Sequence, residues 1–214
     1  MEEEKRYIAV EGPIGVGKTS LARMLASELE GETLLERTDD NPFLEKFYRD
    51  KKRYAFQTQI FFLLTRYQQQ KDLNQLDLFR DTIISDYLFE RDRIFAHTNL
   101  DKDELRLYDE IYALLEARIT CPDLVILLQA RPEILKERIR TRGIRHERDI
   151  SLEYLEEVVE AYRDHFFYYT QSPLLVVDTT EIDFVRSRED FEDLLREVQE
   201  TRRGTWYYIP LGSR

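Results

Sequence analysis

Residues 12–19 read GPIGVGKT, a complete GxxxxGKT phosphate-binding loop. The apolar run YIAV at residues 7–10 precedes the loop, and three leucines at helical spacing, Leu21, Leu25 and Leu29, follow it. In such a strand–loop–helix unit, glycines let backbone N–H groups turn toward phosphate oxygens, and the helix N-terminus adds its positive dipole end. The sequence therefore predicts a bound nucleoside triphosphate, with Lys18 reaching its phosphates and Thr19 ligating Mg²⁺.

Short apolar runs alternate along the chain with longer segments of helical periodicity. The runs cover residues 7–10, 33–35, 82–84, 124–128 and 174–177, and the helical segments include 21–29, 54–73, 104–118 and 133–142. Runs that are apolar throughout are typical of strands buried on both faces. The alternation predicts an α/β fold of the P-loop NTPase class, with a five-stranded parallel sheet flanked by helices and an arginine-rich lid.

Composition and charge restrict the possible functions. The 214 residues suit one domain, expected at 1–200, and a C-terminal tail at 201–214 that either packs on the domain or forms a subunit contact. A formal net charge of -11 disfavours binding to a nucleic-acid polymer, because such proteins carry a basic face. The single cysteine, Cys121, excludes an internal disulfide, and no apolar run is long enough for a membrane span. We therefore expect a cytoplasmic protein with no membrane partner.

A dense basic segment occupies residues 131–148 of this acidic chain. Arg138, Arg142 and Arg145 are spaced i, i+4 and i+7, so that they share one face of a helix. Several guanidinium groups on one face suit a lid over a triphosphate, because positive charge stabilises a phosphoryl group in transfer. A solvated arginine face, balanced by neighbouring glutamates, is the alternative that the phosphate loop disfavours.

Glu36 and Asp86 follow the second and third predicted strands, and Glu11 follows the first. Ligands of a parallel sheet bind at the carboxyl ends of its strands, so these acids are expected near the phosphate loop. Phosphoryl transfer to a hydroxyl needs a carboxylate near the acceptor and an acid for the metal, although either residue could be an ordinary strand-end residue or helix cap. The GTPase motifs Asn-Lys-x-Asp and Asp-x-x-Gly are missing, which favours a kinase over a GTP switch.

From residue 7 to about 198, the sequence resembles the bacterial deoxynucleoside kinases of the deoxyadenosine/deoxyguanosine kinase type. Besides the phosphate loop and Glu36, the resemblance is carried by NPF at 41–43, KFY at 46–48, RYAFQTQ at 53–59, SDY at 85–87, IFA at 94–96, RIRTRG at 138–143 and LEYLE at 152–156. It implies transfer of the γ-phosphoryl group of ATP, with Mg²⁺, to the 5′-hydroxyl of a deoxynucleoside, with purines preferred. It also implies a homodimer.

The resemblance assigns roles in the acceptor site. Glu36 is expected to be the base at the 5′-hydroxyl, and Tyr48 and Glu147 are expected to hold the sugar 3′-hydroxyl. Gln59 would pair with the base edge, and Arg66 would lie at the far side of the base pocket. A one-residue gap leaves open whether Arg91 or Asp92 matches the family's base-reading aspartate. The expected substrate-binding residues are Glu36, Tyr48, Gln59, Arg66, Asp86, Arg91 and Glu147.

The resemblance also outlines the ATP and metal sites. The expected ATP-binding residues are Gly12, Pro13, Ile14, Gly15, Val16, Gly17, Lys18, Thr19, Ser20, Arg138, Arg142, Asp183 and Phe184. Thr19 and Asp86 are expected to hold Mg²⁺, and the expected catalytic set is Lys18, Glu36, Asp86, Arg138 and Arg142.

Two positions depart from the family pattern. Many members read Asp/Glu-Arg-Ser after the third strand, whereas Tyr87 follows Asp86 here, so that an arginine directed at the phosphates is missing from its usual place. The third arginine of the family's lid is replaced by Ile144, and only Arg145, in a rotated direction, could supply its charge.

Aromatic residues are expected to enclose the nucleobase, with Phe43, Tyr48, Phe56 and Phe89 in the pocket and with Phe61 and Phe62 in the core.

Two other functions stay open. A nucleoside monophosphate kinase of the thymidylate kinase type would need further basic residues for the acceptor's phosphate. A non-catalytic nucleotide-binding subunit would keep the fold for partner contacts.

Overall fold

The computed structural model describes residues 6–37, 40–76, 82–116, 119–144, 147, 150–200 and 203–210. Within these ranges the chain forms one parallel sheet with helices packed against it. The strands are β1 Arg6–Glu11, β2 Glu32–Leu34, β3 Thr82–Ser85, β4 Leu124–Gln129, β5 Leu174–Asp178 and β6 Thr205–Tyr208. The helices are α1 Lys18–Glu28, α2 Leu44–Arg49, α3 Lys51–Leu76, α4 Arg91–Asn99, α5 Lys102–Glu116, α6 Pro132–Arg142, α7 Leu152–Phe167 and α8 Arg188–Gln199.

The strand order is β2-β3-β1-β4-β5-β6, and every neighbouring pair is parallel. β1 lies between β3 and β4, with Ile8 opposite Ile84 on one side and opposite Leu124 on the other. The chain thus leaves β1 to one side for β2 and β3 and then crosses to the other side for β4. Such a reversal of direction opens a crevice at the carboxyl ends of the strands, and the phosphate loop leaves β1 at this crevice.

Four of the five predicted apolar runs form the centre of the core. The fifth forms β2 at the edge of the sheet and is only partly buried, with Thr33 exposed, so the expectation of burial on both faces is wrong there. Val10 of β1 and Ile126 of β4 are completely buried, and α1 packs Leu21 and Leu25 into the same cluster. The continuous burial of these strands explains why their sequences show no alternation of polar and apolar residues. None of the helices that the structure describes has both the length and the hydropathy to cross a membrane.

The sheet contains six strands in the described part of the chain, so the prediction of five strands is wrong. The additional strand, β6, pairs in parallel with β5 at the edge of the sheet, with Trp206 opposite Leu175. Trp206 is 9% exposed and its neighbour Tyr207 is 67% exposed. Alternating burial is typical of an edge strand that buries one face. Such a strand contains no continuous apolar run, which is the pattern that predicted the other strands. Residues 201, 202 and 211–214 of the tail lie outside the described residues.

The packing of β6 can be tested by truncating one side chain on each face of the strand in separate variants. Trp206→Ala should lower the free energy of unfolding by about 3 kcal/mol, because the indole packs into the main core. Tyr207→Ala is the matched control on the exposed face and should change it by no more than about 0.5 kcal/mol. Urea unfolding measures both values, and equal losses in the two variants would contradict the placement of β6.

Candidate active site

A cavity of about 1110 Å³ lies where the carboxyl ends of β1, β2, β3 and β5 meet the phosphate loop. This volume exceeds that of a typical single-ligand pocket and is enough for two small ligands side by side. It is lined by most of the residues expected from the sequence: Ile14, Gly15, Val16, Gly17, Lys18, Thr19, Ser20, Glu36, Tyr48, Gln59, Arg66, Asp86, Arg91, Arg138, Arg142, Glu147, Asp183 and Phe184. Gly12 and Pro13 lie outside the lining, at the base of the loop.

The phosphate loop depends on glycine at two positions in particular. Gly12 has φ 146° and Gly17 has φ 109°, in a region that side chains rarely adopt. A Cβ atom at Gly12 would lie 2.3 Å from the carbonyl oxygen of Leu128, and one at Gly17 would lie 2.9 Å from Cζ of Phe184. The loop therefore packs directly on β4 and beneath Phe184, and it leads into α1 at Lys18.

Lys18 is oriented by the loop that carries it. Its Nζ donates hydrogen bonds to the carbonyl oxygens of Gly12 at 2.8 Å and of Pro13 at 3.0 Å. Burial, together with the nearby charge of Arg91, lowers the pKa of Lys18 to about 7. Phosphate oxygens in the loop would favour the charged form of the amine, because an opposite charge nearby stabilises it.

Asp86 contacts both the phosphate loop and the segment that carries Glu36. Its Oδ2 accepts a hydrogen bond from Oγ1 of Thr19 at 2.5 Å, and its Oδ1 accepts one from the backbone N–H of Glu36 at 2.7 Å. Hydroxyl and carboxylate oxygens are the ligands that Mg²⁺ prefers, and this ion is usually held by one or two protein groups together with substrate phosphates. The described residues include no group of three or more His, Cys, Asp or Glu that could hold a metal ion. Thr19 and Asp86 fit a Mg²⁺ ion that arrives with a nucleotide, because their hydroxyl and carboxylate oxygens lie together at the phosphate loop.

The Glu36 carboxylate lies in a buried cluster of charges. It accepts hydrogen bonds from Arg66 and, at 2.8 Å, from Nη1 of Arg91. Arg66 donates a further hydrogen bond to Asp92. Burial alone would raise the pKa of Glu36, but the guanidinium groups of Arg66 and Arg91 lower it to about 2. The carboxylate is therefore ionised at neutral pH, and it faces the cavity in that form.

Arg91 and Asp92 begin α4 side by side but lie in different surroundings. Arg91 lines the cavity next to Glu36, and its Nε lies 3.8 Å from Glu11. Asp92 is completely buried and pairs with Arg66, outside the cavity lining. Burial raises the pKa of Asp92 to about 7 against the opposing attraction of Arg66. Asp92 thus supports Arg66 from outside the cavity, whereas Arg91 belongs to the surroundings of Glu36.

The residues expected at the sugar lie together on one wall of the cavity. Tyr48 and Glu147 both line the cavity, and burial, followed by the nearby Tyr154 and Glu147, raises the pKa of Tyr48. The carboxylate of Glu147 accepts a hydrogen bond from Arg142. The structure therefore links the lid helix α6 to the wall that is expected to hold the sugar.

The two lid arginines have different partners. Arg138 donates to the carbonyl oxygens of Val16, Thr179 and Ile182 at 3.3, 2.7 and 3.0 Å, and to the Thr179 hydroxyl at 2.9 Å. It therefore joins the phosphate loop to the end of β5 and to the loop that carries Phe184. Arg142 pairs with Glu147 and is about half exposed. Arg145, expected as a third lid arginine, lies outside the described residues.

Comparison with known proteins gives the same family as the sequence motifs. The deoxynucleoside kinase family model matches residues 8–202. The chain belongs to the deoxynucleoside kinase family. A deoxyguanosine kinase of Bacillus subtilis (strain 168) is 36% identical over 199 residues, which cover 91% of this chain and 96% of that protein. A deoxyadenosine/deoxycytidine kinase of the same strain is 31% identical over 199 residues, with 89% of this chain and 90% of the other covered.

The solved structures agree with the sequence comparisons. A deoxyadenosine kinase from M. mycoides with bound dATP superimposes with a TM-score of 0.80 at 27% identity, covering 91% of this chain and 100% of that chain. The expected family and the P-loop α/β fold are thereby confirmed, and the protein is a kinase that binds ATP.

The aromatic wall of this kinase differs from the sequence-based expectation. Phe62, which was expected in the core, lines the cavity together with Phe47 and Phe95. Phe56 and Phe89 instead pack in a separate cluster around Leu63, Tyr108 and Tyr112, and Phe43 is not in the lining. Helical spacing could not distinguish these cases, because it shows which residues share a face of α3 but not whether that face meets the cavity or the core.

Glu11 has a larger part in the kinase site than its position at a strand end suggested. Its Oε1 accepts hydrogen bonds from the backbone N–H of Gly12 at 2.8 Å and from the Tyr162 hydroxyl at 2.9 Å. Its Oε2 accepts one from the backbone N–H of Leu88 at 2.8 Å. The buried carboxylate thus joins the phosphate loop to α7 and to the segment that leads into α4. The only signal in the sequence was an acid at the end of an otherwise apolar strand.

The low pKa of Glu36 predicts how its contribution to stability varies with pH. A carboxyl whose pKa falls from 4.5 to about 2 on folding stabilises the native state above pH 4.5 and loses that contribution as the pH falls toward 2. The difference in unfolding free energy between the wild type and Glu36→Gln should therefore shrink, by on the order of 2 kcal/mol, between pH 6 and pH 3. Urea unfolding of both proteins at several pH values measures this difference in unfolding free energy. A difference that does not change with pH would contradict the ion pairing of Glu36.

Proposed function

We propose that this kinase transfers the γ-phosphoryl group of ATP to the 5′-hydroxyl of a deoxynucleoside and prefers purine deoxynucleosides. The observation that carries the proposal is the double contact of Asp86. Its two oxygens bind Thr19 of the phosphate loop and the backbone of Glu36, so that the ends of a donor site and an acceptor site meet at one carboxylate. Purine preference draws support from the deoxyguanosine kinase similarity, and the Gln59 amide can pair with adenine, guanine or cytosine.

The acceptor half of the cavity suits a neutral sugar hydroxyl better than a phosphate. Its two buried arginines, Arg66 and Arg91, are both paired with carboxylates. An acceptor phosphate would have to compete with Glu36 for them, and its charge would lie beside that carboxylate. This arrangement disfavours a nucleoside monophosphate kinase.

We assign the chemical roles as follows. The ionised Glu36 accepts a hydrogen bond from the 5′-hydroxyl and takes its proton, while Lys18 and Arg142 stabilise the charge of the transferring phosphoryl group. Arg138 holds the phosphate loop and the Phe184 loop in place through its backbone contacts. Thr19 and Asp86 would hold Mg²⁺, which would neutralise charge on the phosphate oxygens.

Arg91 is assigned to the reaction centre rather than to the base. Tyr87, which replaces the arginine of the family's Asp/Glu-Arg-Ser motif, is completely buried, with its ring centroid 5.8 Å from the guanidinium carbon of Arg66. Arg91 comes from the first turn of α4 and donates a hydrogen bond to the Glu36 carboxylate. It thus supplies a guanidinium group beside the acceptor hydroxyl from another position in the sequence, and Asp92 supports the base pocket through Arg66.

The first test measures ATP consumption, with Mg²⁺, against each of the four deoxynucleosides and each of their monophosphates as the single acceptor. Turnover of deoxyadenosine or deoxyguanosine is expected, with the phosphate on the 5′-oxygen of the product. Turnover of monophosphates alone would show a nucleoside monophosphate kinase. ATP binding without any turnover would show a non-catalytic subunit.

Within the same assay, Glu36→Gln should lower kcat by at least about 100-fold, because the amide cannot take the proton. ATP affinity should stay at the wild-type value. Glu156→Gln, on the exposed face of α7, is the matched control and should keep wild-type kcat. An unchanged kcat in Glu36→Gln would remove the role assigned to Glu36.

We also propose a homodimer formed through α3 and α5. The support is the family resemblance together with an exposed apolar surface on these packed helices, which we call the α3/α5 face and which consists of Leu64, Leu107 and Leu114. These side chains are 50%, 48% and 76% exposed. Leu107 and Leu114 are two turns apart on α5 and so lie on the same side of the helix.

The dimer is tested by charging this face. Leu107→Lys combined with Leu114→Lys should convert the dimer to a monomer in sedimentation velocity, because two buried ammonium groups would disfavour the interface. Phe167→Lys is the control, since this phenylalanine is as exposed as Leu114 but lies at the end of α7. A monomeric wild type, or a charged variant that stays dimeric, would contradict the proposal.

We propose that residues 1–200 act as one kinase domain, and that the kinase works in the cytoplasm, where its single cysteine stays reduced. Its partners would be ATP and a deoxynucleoside.

A further inference from the structure

Glu36 lies just beyond the end of β2, where strand pairing no longer fixes the backbone. β2 ends at Leu34, whose carbonyl oxygen accepts a hydrogen bond from the backbone N–H of Asp86 at 3.3 Å. The next residues, 35–37, belong to neither a helix nor a strand. The direction in which the Glu36 side chain leaves the backbone therefore depends on contacts other than those of the sheet ladder.

Two side chains hold the peptide unit between Leu35 and Glu36, one at each edge. Nε2 of Gln69, on α3, donates a hydrogen bond to the carbonyl oxygen of Leu35 at 2.9 Å. At the other edge, the N–H of Glu36 donates to Oδ1 of Asp86 at 2.7 Å. The carbonyl and the N–H of a planar trans peptide point in opposite directions. A single contact would let the unit pivot about its anchor, whereas two opposed contacts fix the direction of its axis.

Gln69 is placed to act on the backbone of Glu36 and not on a ligand. The residue is 7% exposed, and it lies outside the cavity lining. Its Oε1 is buried without a hydrogen-bond partner among the described residues. A buried polar atom without a partner costs stability, so an amide at this position is unfavourable unless its donor group is used. The structure uses that donor on the carbonyl of Leu35.

The helix α3 holds Glu36 at both its carboxylate and its backbone. Arg66 and Gln69 are spaced i, i+3 and so lie on the same side of the helix. Arg66 binds the carboxylate of Glu36, and Gln69 binds the peptide unit that precedes it. Asp86 connects the same peptide unit to Thr19 of the phosphate loop. The arginine thus fixes the carboxylate relative to the acceptor pocket, and the clamped peptide fixes it relative to the phosphate loop.

We propose that Gln69 is a positioning residue for phosphoryl transfer, which orients Glu36 by holding the carbonyl of Leu35. When this carbonyl is released, the peptide unit pivots about its contact with Asp86, and the Glu36 carboxylate moves relative to the phosphate loop. The nucleoside still binds, but the group that takes the 5′-proton is displaced from the transferring phosphoryl group. This inference rests on the proposed function and adds to it a residue that touches no substrate.

Gln69→Met tests the contact, because it removes the donor group and keeps the length of the side chain. With the better of deoxyadenosine and deoxyguanosine as the acceptor, kcat should fall by about tenfold or more, since a small displacement of a reacting group slows the chemical step strongly. KM for that nucleoside should stay within about threefold of the wild-type value, because the residues that line its pocket are unchanged. ATP affinity should also be unchanged, which shows that the variant is folded.

The same substitution in Glu36→Gln separates positioning from a general loss of structure. Because the group that Gln69 orients is then already removed, Gln69→Met should change the residual kcat by no more than about twofold. Gln70→Met is the matched control, since Gln70 is the next residue of α3, is 1% exposed and donates to the Tyr7 hydroxyl. It should change kcat by no more than about twofold in either background.

Gln69→Asn provides an independent test of the same contact. Its amide is one methylene group too short to reach the carbonyl of Leu35, although it remains a hydrogen-bond donor. It should therefore show the same loss of kcat as Gln69→Met, with unchanged ATP affinity. Wild-type kcat in this variant would contradict the positioning role.

The outcomes separate the inference from the function on which it rests. If the wild type phosphorylates no deoxynucleoside, the proposed function fails, and if Glu36→Gln keeps wild-type kcat, the role of Glu36 fails. If Glu36→Gln is impaired as expected but Gln69→Met keeps wild-type kcat, the positioning role is wrong and the function stands. The positioning role is also wrong if Gln69→Met lowers kcat by the same factor with and without the Glu36 carboxylate.

Discussion

The carboxylate of Asp86 is the contact on which the rest of the site depends. One of its oxygens binds the hydroxyl of Thr19, and the other binds the backbone N–H of Glu36. The sheet makes this double contact possible, because β1 carries the phosphate loop and lies next to β3, which ends just before Asp86. Strand order therefore sets the distance between the phosphate loop and Glu36, and the helices supply the walls around them.

The buried charges of the acceptor site stabilise one another as a set. Glu36, Arg66, Asp92 and Arg91 form a chain of alternating partners, with Glu11 close to Arg91 at its far end. A single buried charge would carry a large desolvation penalty, and removing one member leaves another uncompensated. The same arrangement keeps Glu36 ionised and ready to bind a hydroxyl.

Much of the fold follows from local patterns in the sequence. The phosphate loop and the buried runs predicted a parallel P-loop sheet because both signals depend on residues close together in the chain. β6 was missed because an edge strand buries only one face, so that Trp206 and Tyr207 alternate instead of forming an apolar run. Its place beside β5 is a long-range property that no local pattern contains.

The candidate site was predictable as a set of residues but not as a network. Position after a strand located Glu36 and Asp86 at the cavity, and the family motifs added Tyr48 and Gln59. Which cation binds which acid depends on side-chain directions across α3 and α4, and these are fixed only by packing. The sequence therefore left Arg91 and Asp92 as alternatives, although only Arg91 lines the cavity.

The most direct measurement is a crystal structure with ADP and a deoxynucleoside that supports turnover. We predict that the 5′-oxygen lies about 3 Å from the Glu36 carboxylate, with Arg91 still bound to that carboxylate. A 5′-oxygen remote from Glu36, facing another group beside the phosphate loop, would contradict it.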